Sequence, residues 1–305
     1  MKKTFIALMT LAVAAVSCNK AEIIETNPDS IITFGNAFVE NATKATDPTY
    51  GTANKLTKFN VYGKVTGTAG TVNIFDGVEV TGTVGATEWS YNEQYNQYWI
   101  PGADYDFVGI VDADAVAQND LKIPTSITYN TVGQKDLLYA KDHVEDATAD
   151  QQAVNMTFSH LLSKVQFTVT SNTAGGYYHN VTGIKVSNFE TGTYTIADGS
   201  WTGTTAKYIE FGSVENVTAT DVNGKTNTTQ MLLVPNAATF NVTFTVDLYK
   251  NGTKLGTETK TIAVENDLVK GNAYNFTIAC SVGNPIKFTV TNDPAWSPQS
   301  DVTIQ

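Results

Sequence analysis

Tyr274-Asn275-Phe276-Thr277-Ile278-Ala279-Cys280 sets an apolar residue at every second position, with a polar or small residue between. Successive side chains on a strand point to opposite faces, so this spacing gives one packed face and one wet face. A helix would scatter the same residues around its circumference. Cys280 closes the packed face and reads as a buried structural thiol.

The pattern repeats outward in both directions. Threonine, valine, tyrosine and phenylalanine recur with period two, and the breaks are rich in Gly, Asn and Asp. Strands are expected at Ile31–Phe38, Lys58–Val65, Val72–Val80, Tyr105–Val111, Leu137–Ala140, Leu162–Thr170 and Val181–Phe189. Further strands are expected at Gly192–Ile196, Met231–Val234, Thr239–Tyr249, Thr257–Val264, Ala273–Ser281, Ile286–Val290 and Asp301–Ile304. Lys250-Asn251-Gly252-Thr253 reads as a hairpin turn, because Asn-Gly suits the positive φ angles of a two-residue connection. No long amphipathic helical pattern occurs. The fold class is all-β, built of antiparallel sandwiches.

At the amino end Lys2 and Lys3 precede an apolar run from Phe5 to Val16, then Ala15-Val16-Ser17-Cys18. A charged start, a short apolar core and a small-residue cleavage site make a signal peptide, too short to span a bilayer, which takes roughly 20 apolar residues. With Cys18 directly after the cleavage site, the segment resembles a bacterial lipoprotein lipobox. Ala15 stands where such signals usually carry leucine. Residues 1–18 are thus read as a lipoprotein signal, with Cys18 the lipidated first residue, and 19–30 as a polar leader. The acidic stretch Lys141–Asp150 suggests a boundary. It divides the chain into one sandwich at 31–150 and a second at 151–305, which carries possible donor strands.

The formal charge is −11 and arginine is absent. Without arginine the chain lacks the bidentate phosphate readers of nucleic-acid proteins, so no nucleic-acid partner is expected. If Cys18 is acylated, Cys280 has no disulfide partner, and stability rests on apolar burial and sheet hydrogen bonds.

Little in the sequence points to catalysis. The three histidines, His143, His160 and His179, have no second histidine or cysteine at metal spacing. Asp112, Asp114, Asn119 and Asp120 lack the glycine and terminal glutamate of a calcium loop and read as a solvated acidic loop. No nucleophile elbow, phosphate loop or zinc-protease signature is present, so no enzyme activity and no cofactor or metal are expected. A glycosidase needs only two carboxylates, which sequence does not exclude. The aromatics Trp89, Tyr91, Tyr95, Tyr98 and Trp99 form a recognition candidate for a sugar or a protein surface. Alternatively, they cover the edge of a sandwich.

Several segments, in order, resemble the fimbrillins, the pilus subunits of Gram-negative anaerobes. Ile31-Ile32-Thr33-Phe34-Gly35, followed by Asn41-Ala42-Thr43-Lys44-Ala45, is similar to the family's first strand and processing site. Phe59-Asn60-Val61-Tyr62-Gly63 resembles its second strand. Tyr98-Trp99-Ile100-Pro101-Gly102 leading to Tyr105-Asp106-Phe107, and Asp136-Leu137-Leu138-Tyr139-Ala140, resemble later parts of its first domain. Phe158-Ser159-His160-Leu161-Leu162-Ser163-Lys164-Val165-Gln166-Phe167 resembles the opening of its second domain. Val269–Phe276 and Trp296 match its carboxyl end.

The resemblance implies two tandem transthyretin-like antiparallel β-sandwich domains and a fibre assembled by strand exchange. It implies a lipoprotein precursor at the cell outer membrane, partnered by other fimbrillin subunits and by a processing protease. A host or bacterial surface ligand is a further partner. On this reading Lys44-Ala45 is the scissile bond, and Ile32, Phe34 and Phe38 fill the groove from the removable strand. Val302 and Ile304 belong to the candidate donor strand. Family processing usually follows arginine, so here the protease must accept lysine. The rival expectation is a monomeric, lipid-anchored glycan-binding sandwich that uses the five aromatics.

Overall fold

The computed structural model describes residues 30–39, 56–82, 89–226, 230–236, 239–265, 267–293 and 301–302. Cys18, Lys44, Ala45, Trp296 and Ile304 lie outside the described residues, as do the side chains of Phe38 and Val302. Among the described residues the chain is all-β, with short 3-10 turns and no α-helix.

The first sheet orders its strands β1 (Phe34–Val39), β8 (Val154–His160), β7 (Leu138–Val144), β4 (Asp104–Val111), β2 (Lys58–Gly67) and β3 (Gly70–Thr81). The second runs β15 (Thr253–Val264), β14 (Phe240–Lys250), β10 (Tyr177–Thr195), β6 (Pro124–Asn130) and β5 (Ala115–Gln118), with β11 (Ser200–Val217) also on β10. The third runs β12 (Lys225–Thr226), β9 (Ser163–Ser171), β16 (Ala273–Cys280), β17 (Lys287–Asp293) and β18 (Asp301–Val302), with β13 (Met231–Leu233) also on β9.

The alternation read from sequence is the alternation that packs. In β16, Tyr274, Phe276, Ile278 and Cys280 are buried, and the residues between them are half-exposed. Burial pushes the Cys280 thiol up to about 12, so it stays protonated and inert. The β14–β15 hairpin turns at Asn251 and Gly252, both at positive φ, with Lys250 opposite Thr253. Three apolar clusters result. One lies under the first sheet, and one between the second and third. The third joins the two halves through Tyr62, Ile110, Tyr129, Leu162, Tyr194 and Val234.

Four expectations change. The sheets are not antiparallel throughout: β1 runs parallel to β8, and β9 parallel to β16. Long stretches of chain separate these partners, which is what a parallel pairing requires. Strand pairing does not break at residue 150 either. β8 follows that point yet belongs to the first sheet, while β5 and β6 precede it and extend the second sheet, β6 pairing with β10 and β5 with β6. The expected strands Val181–Phe189 and Gly192–Ile196 are one strand, β10, whose register on β14 shifts where Gly183 takes a φ of 59°. The acidic stretch from Asp112 to Asp120 leads into β5 and begins its turn to β6, where the Asn119 carboxamide accepts from the backbone N–H of Leu121 and Ile123. Its side chain is therefore a turn element.

Candidate functional site

Residues 30–39 lie in a slot, walled by backbone on one edge along residues 30–34 and on the other along residues 33–39. On one side runs an arm, residues 89–99. There the Trp99 N–H donates to the Ser30 carbonyl at 2.8 Å, Ile32 donates to Gln97 at 2.8 Å, and Trp89 donates to the Phe34 carbonyl at 2.9 Å. On the other side runs β8. Val154 donates to the Thr33 carbonyl at 2.8 Å, and Phe34, Ala37, Phe38 and Val39 stand opposite Val154, Met156, Thr157 and Phe158. A strand flanked on both edges leaves two rows of unpaired groups if it departs.

The side chains of this segment enter the core. Ile32 and Phe34 are 0% and 1% exposed, and Ala37 and Val39 are also buried. The Phe34 ring meets Phe59, Phe75, Tyr91 and Phe107 edge-on, at centroid separations of 5.8, 5.8, 5.9 and 6.0 Å. Such T-shaped contacts suit the ring quadrupoles and add to the burial energy.

Of the expected face Ile32, Phe34 and Phe38, the first two are buried, and the side chain of Phe38 lies outside the described residues. From Phe34 to Ala37 the strand advances three residues while β8 advances two, from Val154 to Met156. This one-residue bulge resets the alternation, so the buried positions become Ala37 and Val39. Gly35 sits in the bulge, buried beside the side chains of Asn155 and Ala153.

The five aromatics proposed for recognition are mostly wall. Trp89 and Trp99 are each 3% exposed; Trp89 packs on Phe59 at 5.6 Å and Trp99 on Tyr105 at 4.7 Å. They are not available to stack on a sugar, and this corrects the recognition reading for both residues. Tyr91 is half-buried, and its hydroxyl donates to the Ile32 carbonyl at 2.7 Å. Burial pushes that phenol up to about 12. Tyr98 is half-buried, bridges Ile31 and gives its carbonyl to the Tyr105 hydroxyl. Tyr95, in a 3-10 turn capped by Asn92, is exposed.

Sequence reading missed the second wall. Val154-Asn155-Met156-Thr157-Phe158-Ser159-His160 alternates cleanly, with Val154, Met156, Phe158 and His160 buried. His160 ends the wall: its Nδ1 lies 2.9 Å from Asp136 Oδ2, with both side chains buried. Asp301–Val302 is the last strand in the order of the third sheet, paired with Val290 and Thr291 of β17. Among the described residues, no group of three or more His, Cys, Asp and Glu side chains is placed to hold a metal ion. No helix among them is long and apolar enough to cross a membrane.

Comparison with known proteins gives one family and one fold. The sequence model described as fimbrillin-like matches residues 43–294. A fimbrial protein from Bacteroides vulgatus superposes with a TM-score of 0.61 at 15% identity, covering 87% of this chain and 99% of that one. A proposed cell adhesion protein from Bacteroides uniformis gives 0.54 at 18% identity, over 88% of this chain and 99% of that one. Another from Bacteroides ovatus gives 0.53 at 12%, over 90% and 98%. At these identities the likeness is one of fold. No curated protein matches the chain.

Proposed function

The chain belongs to the fimbrillin-like family, and from that premise we propose that it is a non-enzymatic subunit of a cell-surface fimbria, assembled by protease-triggered strand exchange. The observation that carries the proposal is the slot. An amino-terminal segment supplies Ile32, Phe34, Ala37 and Val39 to the core and pairs on both edges with residues distant in the chain. Taking it out exposes apolar surface and unsatisfied backbone groups together, and only another extended segment satisfies both.

In this reading Cys18 carries the lipid that holds the precursor at the outer membrane. Cleavage at Lys44-Ala45 severs the leader and β1 from the body. A strand from a neighbouring subunit then fills the slot, and the head-to-tail contact propagates because it does not close on itself. Asp301–Ile304 is the candidate donor to the next subunit; its described part, β18, ends the order of its sheet. The resulting fibre serves adhesion at the cell surface.

The glycan-binding alternative has weaker support, because two of its five aromatics are buried. The test is the amino terminus of the mature protein recovered from fibres. A start at Ala45 is expected. A lipidated Cys18 on assembled fibre subunits overturns the removal of β1.

A further inference from the structure

The slot reads its occupant. Among the described side chains, those at 32, 34, 37 and 39 enter the core, and the bulge fixes their unequal spacing. The second position is ringed by Phe59, Phe75, Tyr91 and Phe107, a pocket shaped for an aromatic ring. The next residue, Gly35, is buried with Asn155 Oδ1 2.6 Å and Ala153 Cβ 3.3 Å from where a Cβ would lie. That crowding favours a small residue. Position 37 holds alanine and position 39 valine, both buried. The direction is fixed as well, parallel to β8 and antiparallel to the arm.

The described side chains define a pattern: aliphatic at 32, aromatic at 34, small at 35 and 37, and aliphatic at 39. Ile32-Thr33-Phe34-Gly35-Asn36-Ala37-Phe38-Val39 meets it, and no second stretch of the 305 residues does. Leu137-Leu138-Tyr139-Ala140-Lys141-Asp142-His143-Val144 comes nearest but puts Asp142 where a small residue belongs, and all but its first residue are built into β7. Toward the carboxyl end, Ile286-Lys287-Phe288 begins correctly, then places Thr289, Thr291 and Asp293 where small and aliphatic residues belong. Phe288 is moreover packed on Phe244 and Phe276. Val302-Thr303-Ile304 lacks the aromatic. A regularly alternating strand matches the first two pockets and falls out of phase at the bulge.

We infer that the slot is filled in assembly by a strand of a different chain, one that carries this two-phase pattern, and not by a strand of a second copy of this chain. The inference rests on the strand-exchange reading above and says which partner that reading requires. Within a fibre it places this subunit at a junction between unlike subunits.

The test uses the full chain with a site-specific protease sequence inserted between Lys44 and Ala45, cleaved there and incubated with labelled peptides. Uptake is followed by fluorescence anisotropy. The Ser30–Val39 peptide should enter and stay. Its Phe34→Ala form should bind about 100-fold more weakly or worse, since truncating a buried phenylalanine forfeits both transfer and packing energy. A form lacking Asn36, which restores plain alternation, should be weakened comparably. Peptides of residues 284–293 and 299–305 should not enter. If the 299–305 or 284–293 peptide enters as well as Ser30–Val39, a second copy is an adequate partner and the inference is overturned. Equal binding by the form lacking Asn36 likewise overturns it, since the slot then does not read phase. If not even Ser30–Val39 enters, strand exchange itself is overturned, and this inference falls with it.

Discussion

Trp89 donates its backbone N–H to the carbonyl of Phe34 across 2.9 Å, while the Phe34 ring sits among four other aromatic rings. One residue thereby holds the amino-terminal strand by its backbone and by its side chain. Phe34→Ala should cost about 3–5 kcal/mol, the range for a fully buried phenylalanine. Val72→Ala, at a position 60% exposed, should stay within about 0.5 kcal/mol. Urea denaturation of the intact chain measures both. Equal midpoints for the two variants would show that β1 contributes nothing to the core.

The arm makes a second prediction, because its tryptophans are structural. Trp89→Ala and Trp99→Ala should each lower stability by about 3–5 kcal/mol. Tyr95→Ala, at the exposed turn, should be nearly silent. Thermal unfolding separates these outcomes from a recognition role, in which the tryptophan variants would lose binding and keep their melting temperature.

Much of the fold was legible because burial here follows the period of two. Phe59 and Val61 alternate with Lys58 and Asn60 in β2, as Tyr274, Phe276 and Ile278 alternate with Asn275 and Thr277 in β16. The Asn251-Gly252 turn was legible for a local reason, the positive φ that those residues tolerate. The bulge between Phe34 and Ala37 was not. It lies in the register on Val154 and Met156, so the segment's own alternation did not show that Ala37 and Val39 are buried. Composition likewise could not separate an exposed aromatic platform from a wall, since Trp89 and Trp99 are defined by what they touch. β11 escaped notice because glycine and threonine dilute its alternation, although Ile209, Phe211 and Val214 are buried. Strand partners more than a hairpin apart leave no local mark, which is why β6 on β10 and β8 on β1 were missed.

Two histidines give opposite pH limbs. His143 Nδ1 lies 2.8 Å from Asp106 Oδ1, and that hydrogen bond holds the exposed imidazole above its ordinary value. Its contribution is fully present below the unfolded value of about 6.5 and is lost as pH rises through the raised folded value. His179 is buried, with Nδ1 3.0 Å from Ser171 Oγ, and burial lowers its value. Its contribution is present above about pH 6.5 and is lost as pH falls through the depressed folded value. Stability measured across mildly acid to neutral pH should therefore lose part of its acid slope in His179→Gln and part of its neutral slope in His143→Gln. Unchanged slopes in both variants would mean that neither ring is perturbed by the fold.

The exchange of strands across residue 150 argues that the two halves unfold together. Residues 31–150 lack β8, which lies between β7 and β1 in the first sheet. That omission leaves Phe59 without Phe158, whose ring stands 5.2 Å away, and Phe34 without Val154 opposite it. Extending the piece to Leu162 restores β8 but leaves β6 without β10, and Tyr129 and Ile110 without Tyr194 and Val234 across the junction cluster. Polar contacts tie the same joint. Gln134 exchanges side-chain hydrogen bonds with the Leu232 backbone, and the Trp201 indole donates to the Leu161 carbonyl at 3.0 Å. Neither fragment should show a cooperative transition, and the intact chain should melt in a single step with calorimetric and van't Hoff enthalpies in agreement. Two resolved calorimetric transitions, or a folded 31–150 fragment, would show that the junction cluster is a contact between independent units and carries no share of their stability.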